Sequence, residues 1–205
     1  MTPRRWNQAK RELGARDGVL GAVIARYPGE RLASRDDPFI TLARSIVGQQ
    51  ISVKAAEALW RRLEGALGAV TPAMLARAAP EALREAGMSR QKAVYLADLG
   101  ARFLAGAVEP ARWRGMADDE VIAELTLVRG IGRWTAEMFL IFNLMRPDVL
   151  PLDDIGLRRA VAHHYGRDYP IAKADVAALA ETWRPWRSVA TWYLWRSLDP
   201  LPVSY

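Results

Sequence analysis

Several residue types and patterns are absent or scarce in this chain of 205 residues. There is no cysteine, which excludes disulfides, thiolate zinc sites, cysteine nucleophiles and iron–sulfur clusters, because each of these needs sulfur. The only two histidines, His163 and His164, are adjacent and lack the spacing of metal ligands. No uncharged apolar run is long enough to cross a bilayer, and no apolar segment follows the basic residues near the N-terminus. We therefore expect a cytoplasmic protein that does not bind membranes.

Lysine is scarce as well. Of the 29 basic residues 25 are arginine, and the formal net charge is +6. Planar guanidinium groups suit bidentate contacts with phosphate better than ammonium groups do, so nucleic acid becomes the leading class of partner. A GC-rich genome that enriches arginine and alanine would produce the same composition, so charge alone does not decide the function.

The apolar residues, 51% of the chain, recur with helical rather than alternating spacing. The pattern predicts an all-α protein of about ten short helices joined by brief turns. The first begins at Asp36-Asp37-Pro38 and ends at Gly48. The others are predicted over 52–67, from 72, over 80–87, 89–104, 118–127, 133–145, 154–165 and 173–183, and from 185 onward.

The stretch LVRGIGRWTA at 127–136 lies between two predicted helices. Gly130 and Gly132 can both take positive φ, which allows a tight hairpin with Ile131 plugged between the helices. Amide groups of the turn and of the next helix then form a phosphate site, helped by the helix dipole and by Arg133. Such a site holds DNA without reading its sequence. A glycine C-cap followed by a turn would look similar.

The stretch LPLDDIGLRRAV at 150–161 places Asp154 where the N-cap of a helix is expected, with Leu157 and Val161 on the buried side. Capping is the commonest role of aspartate in such a setting. On this stretch alone, a purely structural role for Asp154 is therefore favoured over a chemical one.

Together the two stretches resemble the helix-hairpin-helix (HhH-GPD) DNA glycosylases, and within them the 3-methyladenine DNA glycosylase II group. GQQIS at 48–52 and WRPWRS at 183–188 resemble two further segments of that family. The resemblance covers 36–198 and implies a single glycosylase unit over 1–205. It implies two lobes with the active site in the cleft between them, and residues 1–35 as a helical segment packing on the second lobe. These 35 residues are too few for the N-terminal β domain of the longest members.

The resemblance assigns the catalytic aspartate to Asp154 rather than Asp153, because an aliphatic residue follows Asp154 at +3 and arginines follow at +4 and +5. Such a carboxylate assists cleavage of the bond between base and deoxyribose. Relatives that also nick the strand carry a Schiff-base lysine where this chain has Trp134. The resemblance therefore implies a monofunctional hydrolase without lyase activity.

The resemblance also implies the binding residues. Trp134 and Trp195 hold the cationic base, and Met138, in place of an aromatic residue of some relatives, widens the pocket. The wedge that fills the gap in the DNA comes from the Gln49-Gln50 loop, chiefly Gln50. The hairpin contacts phosphate through Gly130, Ile131, Gly132, Arg133 and Thr135. A structural monovalent cation, Na⁺ or K⁺, would bind the backbone carbonyls of Thr126, Val128 and Ile131, and no cofactor is needed for catalysis.

The function expected from the resemblance is excision of alkylated bases, 3-methyladenine and related N-alkylpurines, from double-stranded DNA. We expect base flipping, the first step of base excision repair, and a monomer acting at the nucleoid of a bacterial cell. A glycosylase for an oxidised or deaminated base is the enzymatic alternative. A non-catalytic DNA-binding module is disfavoured, because an acidic residue at the DNA face repels phosphate.

Overall fold

The computed structural model describes residues 1–34 and 37–198, and this part of the chain is helical without a β-strand. The prediction of an all-α protein is confirmed. The thirteen α-helices of the described residues are α1 Pro3–Arg16, α2 Gly18–Ala25, α3 Pro38–Gly48, α4 Val53–Leu67, α5 Pro72–Arg77, α6 Pro80–Glu85, α7 Arg90–Leu104, α8 Pro110–Trp113, α9 Asp118–Thr126, α10 Arg133–Phe142, α11 Ile155–His164, α12 Lys173–Ala180 and α13 Arg187–Leu198, and a 3₁₀ turn covers Glu181–Trp183.

Most of these helices begin at a short polar residue whose side chain accepts an N–H of the first turn, as N-caps do. The capping residues are Thr2, Asp17, Asp37, Ser52, Thr71, Ser89 and Asp154. A proline follows the cap in α1, α3 and α5, where its missing N–H costs nothing. Asp36, the first residue of one predicted helix start, lies outside the described residues, and Asp37 caps α3 by accepting from Ile40 N at 2.9 Å.

The structure has more helices than the ten that the periodicity predicted, and α8 shows why. Helix α8 is a single turn, too short to show periodicity, and it is held by contacts from distant residues. The carboxylate of the buried Glu124 accepts from the indole of Trp113 at 2.7 Å and from Glu109 N at 2.8 Å. Helix α10 ends at Phe142, not 145, and Met145 takes a positive φ of 54° that a helix does not allow.

The chain divides into two compact units. The first unit comprises Met1–Ser34 and Leu140–Tyr205, and the second comprises Arg35–Phe139, so the boundary falls within α10. None of the helices described is long and apolar enough to span a membrane.

Aromatic side chains with a polar end build the core of the first unit. The indole of Trp6 donates to the hydroxyl of Tyr193 at 3.1 Å and meets the ring of Trp192 edge to face. The carboxylate of Asp17 accepts from Tyr165 Oη at 2.6 Å and from Trp183 Nε1 at 2.9 Å. These contacts attach α1 and α2 to α13 and to the segment around Trp183, because each buried indole or phenol needs a hydrogen-bond partner.

Candidate active site

Asp154 lies in the first unit, at the N-cap of α11, and only 6% of its surface is exposed. Its backbone N–H donates to Pro151 O at 3.0 Å, which closes the turn before the helix. Its side-chain Oδ1 accepts the backbone N–H of Leu157 at 2.6 Å. The capping role expected from the sequence is therefore present, and it places a carboxylate where little water reaches.

A second donor reaches the same oxygen atom. The indole Nε1 of Trp195, on α13, donates to Asp154 Oδ1 at 2.7 Å. Trp195 is 5% exposed and stacks in parallel on Phe142, with 5.7 Å between ring centroids and 10° between planes. A Cβ atom at Gly156 would lie 3.1 Å from Asp154 Oδ1 and 3.2 Å from the Trp195 ring. The carboxyl group is thus held by two N–H donors in a closely packed setting.

The neighbouring aspartate has a different environment. The side chain of Asp153 is 53% exposed and forms an ion pair with Lys173 across the surface. An exposed pair of this kind contributes little to stability. The two consecutive carboxylates therefore differ in burial, since that of Asp154 is buried and accepts the indole N–H of Trp195, whereas that of Asp153 lies at the surface.

The hairpin lies in the second unit, between α9 and α10. Val128 and Ile131 are buried, and Ile131 N donates to Val128 O at 3.1 Å within the turn. Gly130 takes φ +84°, as expected, but Gly132 does not take a positive φ. The expectation for Gly132 was wrong because one left-handed residue is enough to reverse the chain before α10.

The backbone amide groups of this hairpin differ in whether they donate a hydrogen bond within the protein. The N–H of Ile131 is used inside the turn, whereas no hydrogen bond within the described residues uses the N–H of Gly132, Arg133 or Thr135. These three amides lie at the N-terminus of α10, where the helix dipole favours an anion. The side chain of Thr135 is buried, so an anion would be bound there by backbone N–H groups.

The guanidinium of Arg133 already has two acidic partners. It contacts Asp119 and Glu137, each at 3.0 Å, and the hydrogen bond that it donates to Asp119 is the main reason that the pKa of Arg133 is raised. This charge is therefore balanced within the protein. An anion at this hairpin would therefore be held by the backbone N–H groups rather than by the Arg133 side chain.

Helix α7 supports the hairpin through residues that no sequence motif marked. The carboxylate of Asp98 accepts Arg129 N at 2.9 Å and Arg102 Nε at 2.8 Å. Burial opposes ionisation of Asp98, but these hydrogen bonds outweigh it and hold its pKa below the usual value. The ring of Tyr95 lies against Gly130, so closely that a Cβ there would be 2.1 Å from it. The sequence indicates this support only through the three-residue spacing of Tyr95 and Asp98, which puts both on one face of a helix.

The remaining predicted residues of the second unit lie on α10 and in the turn after α3. Trp134, the second residue of α10, is half-buried, and Met138, one turn later, is 4% exposed. Gln50 is exposed with φ +60°, while the side chain of Gln49 donates to Gly130 O at 2.8 Å. The structure thus brings Asp154 and Trp195 together in the first unit, and the loop of Gln49 and the hairpin together in the second.

Comparison with known proteins places this geometry in a family. Residues 43–186 match the HhH-GPD superfamily base excision DNA repair protein family. The chain is 32% identical over 190 residues to DNA-3-methyladenine glycosylase 2 of Escherichia coli, covering 87% of this chain and 64% of that protein. It therefore spans less than two thirds of that relative, and it spans 66% of a Bacillus subtilis relative that is 31% identical.

Two solved structures have the same fold. The DNA-3-methyladenine glycosidase of Bacillus halodurans superposes with a TM-score of 0.85 at 35% identity, covering 94% of this chain and 89% of that one. The 3-methyladenine DNA glycosylase of Schizosaccharomyces pombe, in complex with abasic DNA, gives 0.83 at 27% identity, covering 97% and 100%. Given the family match over 43–186 and this agreement in fold, the chain belongs to the HhH-GPD superfamily of base excision DNA repair proteins.

Proposed function

We propose that this protein is a monofunctional DNA glycosylase that releases alkylated bases, 3-methyladenine and related N-alkylpurines, from double-stranded DNA. We propose that the reaction is the first step of base excision repair and that the enzyme acts as a monomer at the nucleoid of a bacterial cell. The names of the E. coli and B. halodurans relatives support this activity, and the S. pombe neighbour is bound to abasic DNA, the product of such a reaction. The observation that carries the proposal is the buried carboxylate of Asp154, oriented by Leu157 N and Trp195 Nε1.

The chemistry needs one well-placed carboxylate. As the C1′–N bond breaks, its electron pair leaves with the base and the sugar acquires oxocarbenium character, which the negative charge of Asp154 stabilises. A water oxygen bonds to C1′, and Asp154 orients that water and accepts its proton. A base alkylated on a ring nitrogen carries a positive charge, so it departs as a neutral molecule. No second carboxylate acting as a strong general acid is required.

Trp134 is proposed to receive the flipped base. The face of an indole attracts a cationic ring by about 0.5–2 kcal/mol beyond ordinary stacking. Taking the nucleotide out of the duplex costs a few kcal/mol, and damage lowers that cost. Met138 has no aromatic ring and lies one turn further along α10, so we expect a roomier pocket than one closed by a second aromatic residue.

The absence of a lyase step follows from the residue at position 134. An indole cannot form the Schiff base with the sugar that a lysine forms in strand-nicking relatives. Borohydride added during the reaction should therefore trap no covalent complex between protein and DNA. A trapped adduct would refute the proposal that the enzyme lacks lyase activity, but it would not contradict the proposal that the enzyme releases bases.

The hairpin also suits a monovalent cation. Within the described residues, no backbone N–H donates to the carbonyl oxygens of Thr126 or Ile131, so both can accept an ion, and the residues fit such a group. With Val128 O they would hold Na⁺ or K⁺, whose charge would help to bind DNA phosphate. Replacing Na⁺ and K⁺ by a large organic cation at equal ionic strength should then weaken DNA binding.

Base release from methylated DNA, with the products identified by chromatography, tests the proposed function. We expect release of 3-methyladenine by the wild type, and a loss of about 100-fold or more in Asp154→Asn, since a positioned acid or base contributes 10²–10⁴. Asparagine caps a helix as well as aspartate does, so the variant should stay folded.

Asp153→Asn is the matched control, because it removes an exposed carboxylate one residue away and should keep the wild-type rate. Undiminished release by Asp154→Asn would contradict the assignment of this residue. Release of only oxidised or deaminated bases from a panel of damaged duplexes would support the alternative enzyme instead.

A further inference from the structure

Gln49 and Gln50 lie at the corners of a tight turn between α3 and α4. Ile51 N donates to Gly48 O at 3.4 Å, Gln49 has φ −55° and ψ 129°, and Gln50 has φ +60°. These angles are those of a type II turn, whose third residue is normally glycine or asparagine. A glutamine in that conformation is strained, and such strain persists only where surrounding contacts hold it.

The contact that holds the turn comes from the hairpin. The side-chain amide of Gln49 is half-buried and donates to Gly130 O at 2.8 Å, across 81 residues of sequence. Gly130 is the left-handed residue of the hairpin, so the hydrogen bond joins the hairpin reversal to Gln49, the neighbour of the strained Gln50. Gln49 therefore points into the protein, while Gln50 is exposed at the tip of the turn.

Helix α7 contacts both the turn after α3 and the hairpin. Lys92 Nζ donates to Val47 O, at the end of α3, at 2.7 Å. One turn later Tyr95 lies against Gly130, and Asp98 accepts Arg129 N. Both the turn and the hairpin are thus anchored on α7, and the Gln49 amide closes the connection between them.

We propose that Gln49 is a positioning residue, which fastens the exposed Gln50 turn to the phosphate-binding hairpin so that the two move as one body. Binding of a phosphate at the hairpin then sets how far the Gln50 tip enters the duplex. This inference rests on the proposed function for its meaning in DNA repair, and it revises the expectation that both glutamines act as the wedge.

A double-mutant cycle separates positioning from direct insertion. Gln49→Met keeps the length of the side chain and removes the N–H donor, and Gln50→Ala removes the tip. The measured quantity is the ratio of affinities for a duplex with an abasic site and for an intact duplex. Each single variant should lower this ratio by about tenfold, the effect of one hydrogen bond. If Gln49 acts through Gln50, the double variant should fall no further than Gln50→Ala alone.

Additive losses would overturn the proposal, because they mean that Gln49 contacts DNA by itself. An unchanged ratio in Gln49→Met would overturn it as well. Gln8→Leu is the control, since it removes an exposed glutamine of α1 in the first unit and should leave both affinities unchanged. Should Gln49→Met fail to fold, Gln49→Asn, which keeps the amide but shortens its reach, serves in its place.

Amide hydrogen exchange of the DNA-free protein tests the physical coupling independently of any glycosylase activity. In Gln49→Met the amides of 50–52 and of 130–132 should both exchange faster, because each segment loses its connection to the other. Faster exchange in the turn alone would overturn the coupling. A wild type that excises no base but shows the coupled exchange would count against the proposed function and not against the role of Gln49.

Discussion

Trp195→Phe offers a direct test of how Asp154 is held. The substitution removes the indole N–H that donates to Asp154 Oδ1 at 2.7 Å and leaves an aromatic ring to stack on Phe142. A hydrogen bond to a charged group contributes about 1.5–3 kcal/mol. If this is lost in the transition state, base release should slow by about 10- to 150-fold, since each 1.36 kcal/mol is tenfold in rate.

The same substitution also leaves a small cavity, and its effect on folding has to be separated from that on chemistry. Trp192→Phe is the matched control, because Trp192 is buried on the same helix and meets the rings of Trp6 and Tyr193 rather than Asp154. Both variants should lose less stability than the roughly 3–5 kcal/mol of truncating a buried aromatic to alanine. Only Trp195→Phe should lose rate.

The assay is single-turnover release of 3-methyladenine from a duplex, measured beside the affinity for a duplex with an abasic site. A positioning role predicts a slower rate with unchanged affinity, because the N–H acts on the carboxylate and not on DNA. The resemblance to the glycosylase family implies that Trp195 holds the base, and a phenylalanine would largely preserve that role. A wild-type rate in Trp195→Phe would therefore refute the positioning role, and Trp195→Leu would then be expected to show the stacking contribution.

Two further tests concern the hairpin. Gly130→Ala should destabilise the fold for two reasons. An alanine in the left-handed conformation costs about 1–2 kcal/mol, and overpacking against Tyr95 costs about 1–3 kcal/mol. The Tm in differential scanning calorimetry should therefore fall by roughly 4–20 °C. Gly132→Ala is the control and should change the Tm little, because a Cβ there meets nothing within 4 Å. An equal fall in Tm for both variants would contradict the geometry. Asp98, whose folded-state pKa is lowered, stabilises the fold above its unfolded pKa of about 3.9 and loses that contribution as the pH falls through the lower folded value. Asp98→Asn should flatten the acid side of the curve of Tm against pH, and an unchanged acid side would contradict this role.

The sequence predicted the local elements of the fold well where the physics is local. An N-cap followed by proline marks the starts of α3 and α5, and both occur as expected. Gly130 takes a positive φ, which favours glycine at that position. A glycine between two predicted helices is therefore a hairpin signal that the sequence alone provides. Errors arose where distant residues decide, as at α8, whose single turn is held by the buried Glu124.

The candidate site shows the same division between local and distant contacts. The capping of α11 by Asp154 involves residues three apart, and its register could be predicted. The Asp154–Trp195 hydrogen bond spans 41 residues and the Gln49–Gly130 hydrogen bond spans 81. In neither pair does the sequence around one residue indicate its partner. Hydrogen bonds between residues so far apart depend on how helices pack, which single-residue patterns do not encode.

Capping and catalysis are not competing roles for Asp154. The capping bond from Leu157 N fixes one carboxylate oxygen relative to the backbone of α11, and the bond from Trp195 fixes the same oxygen relative to α13. A carboxylate held by two donors loses little orientational freedom on reaching the transition state, which is how preorganised groups lower a barrier. The residue type that best caps a helix is therefore also suited to stabilise a developing cationic sugar, because both roles use a short, fixed, negatively charged side chain. The frequency of aspartate at N-caps is then no argument against a catalytic role, provided that a second donor orients the carboxylate.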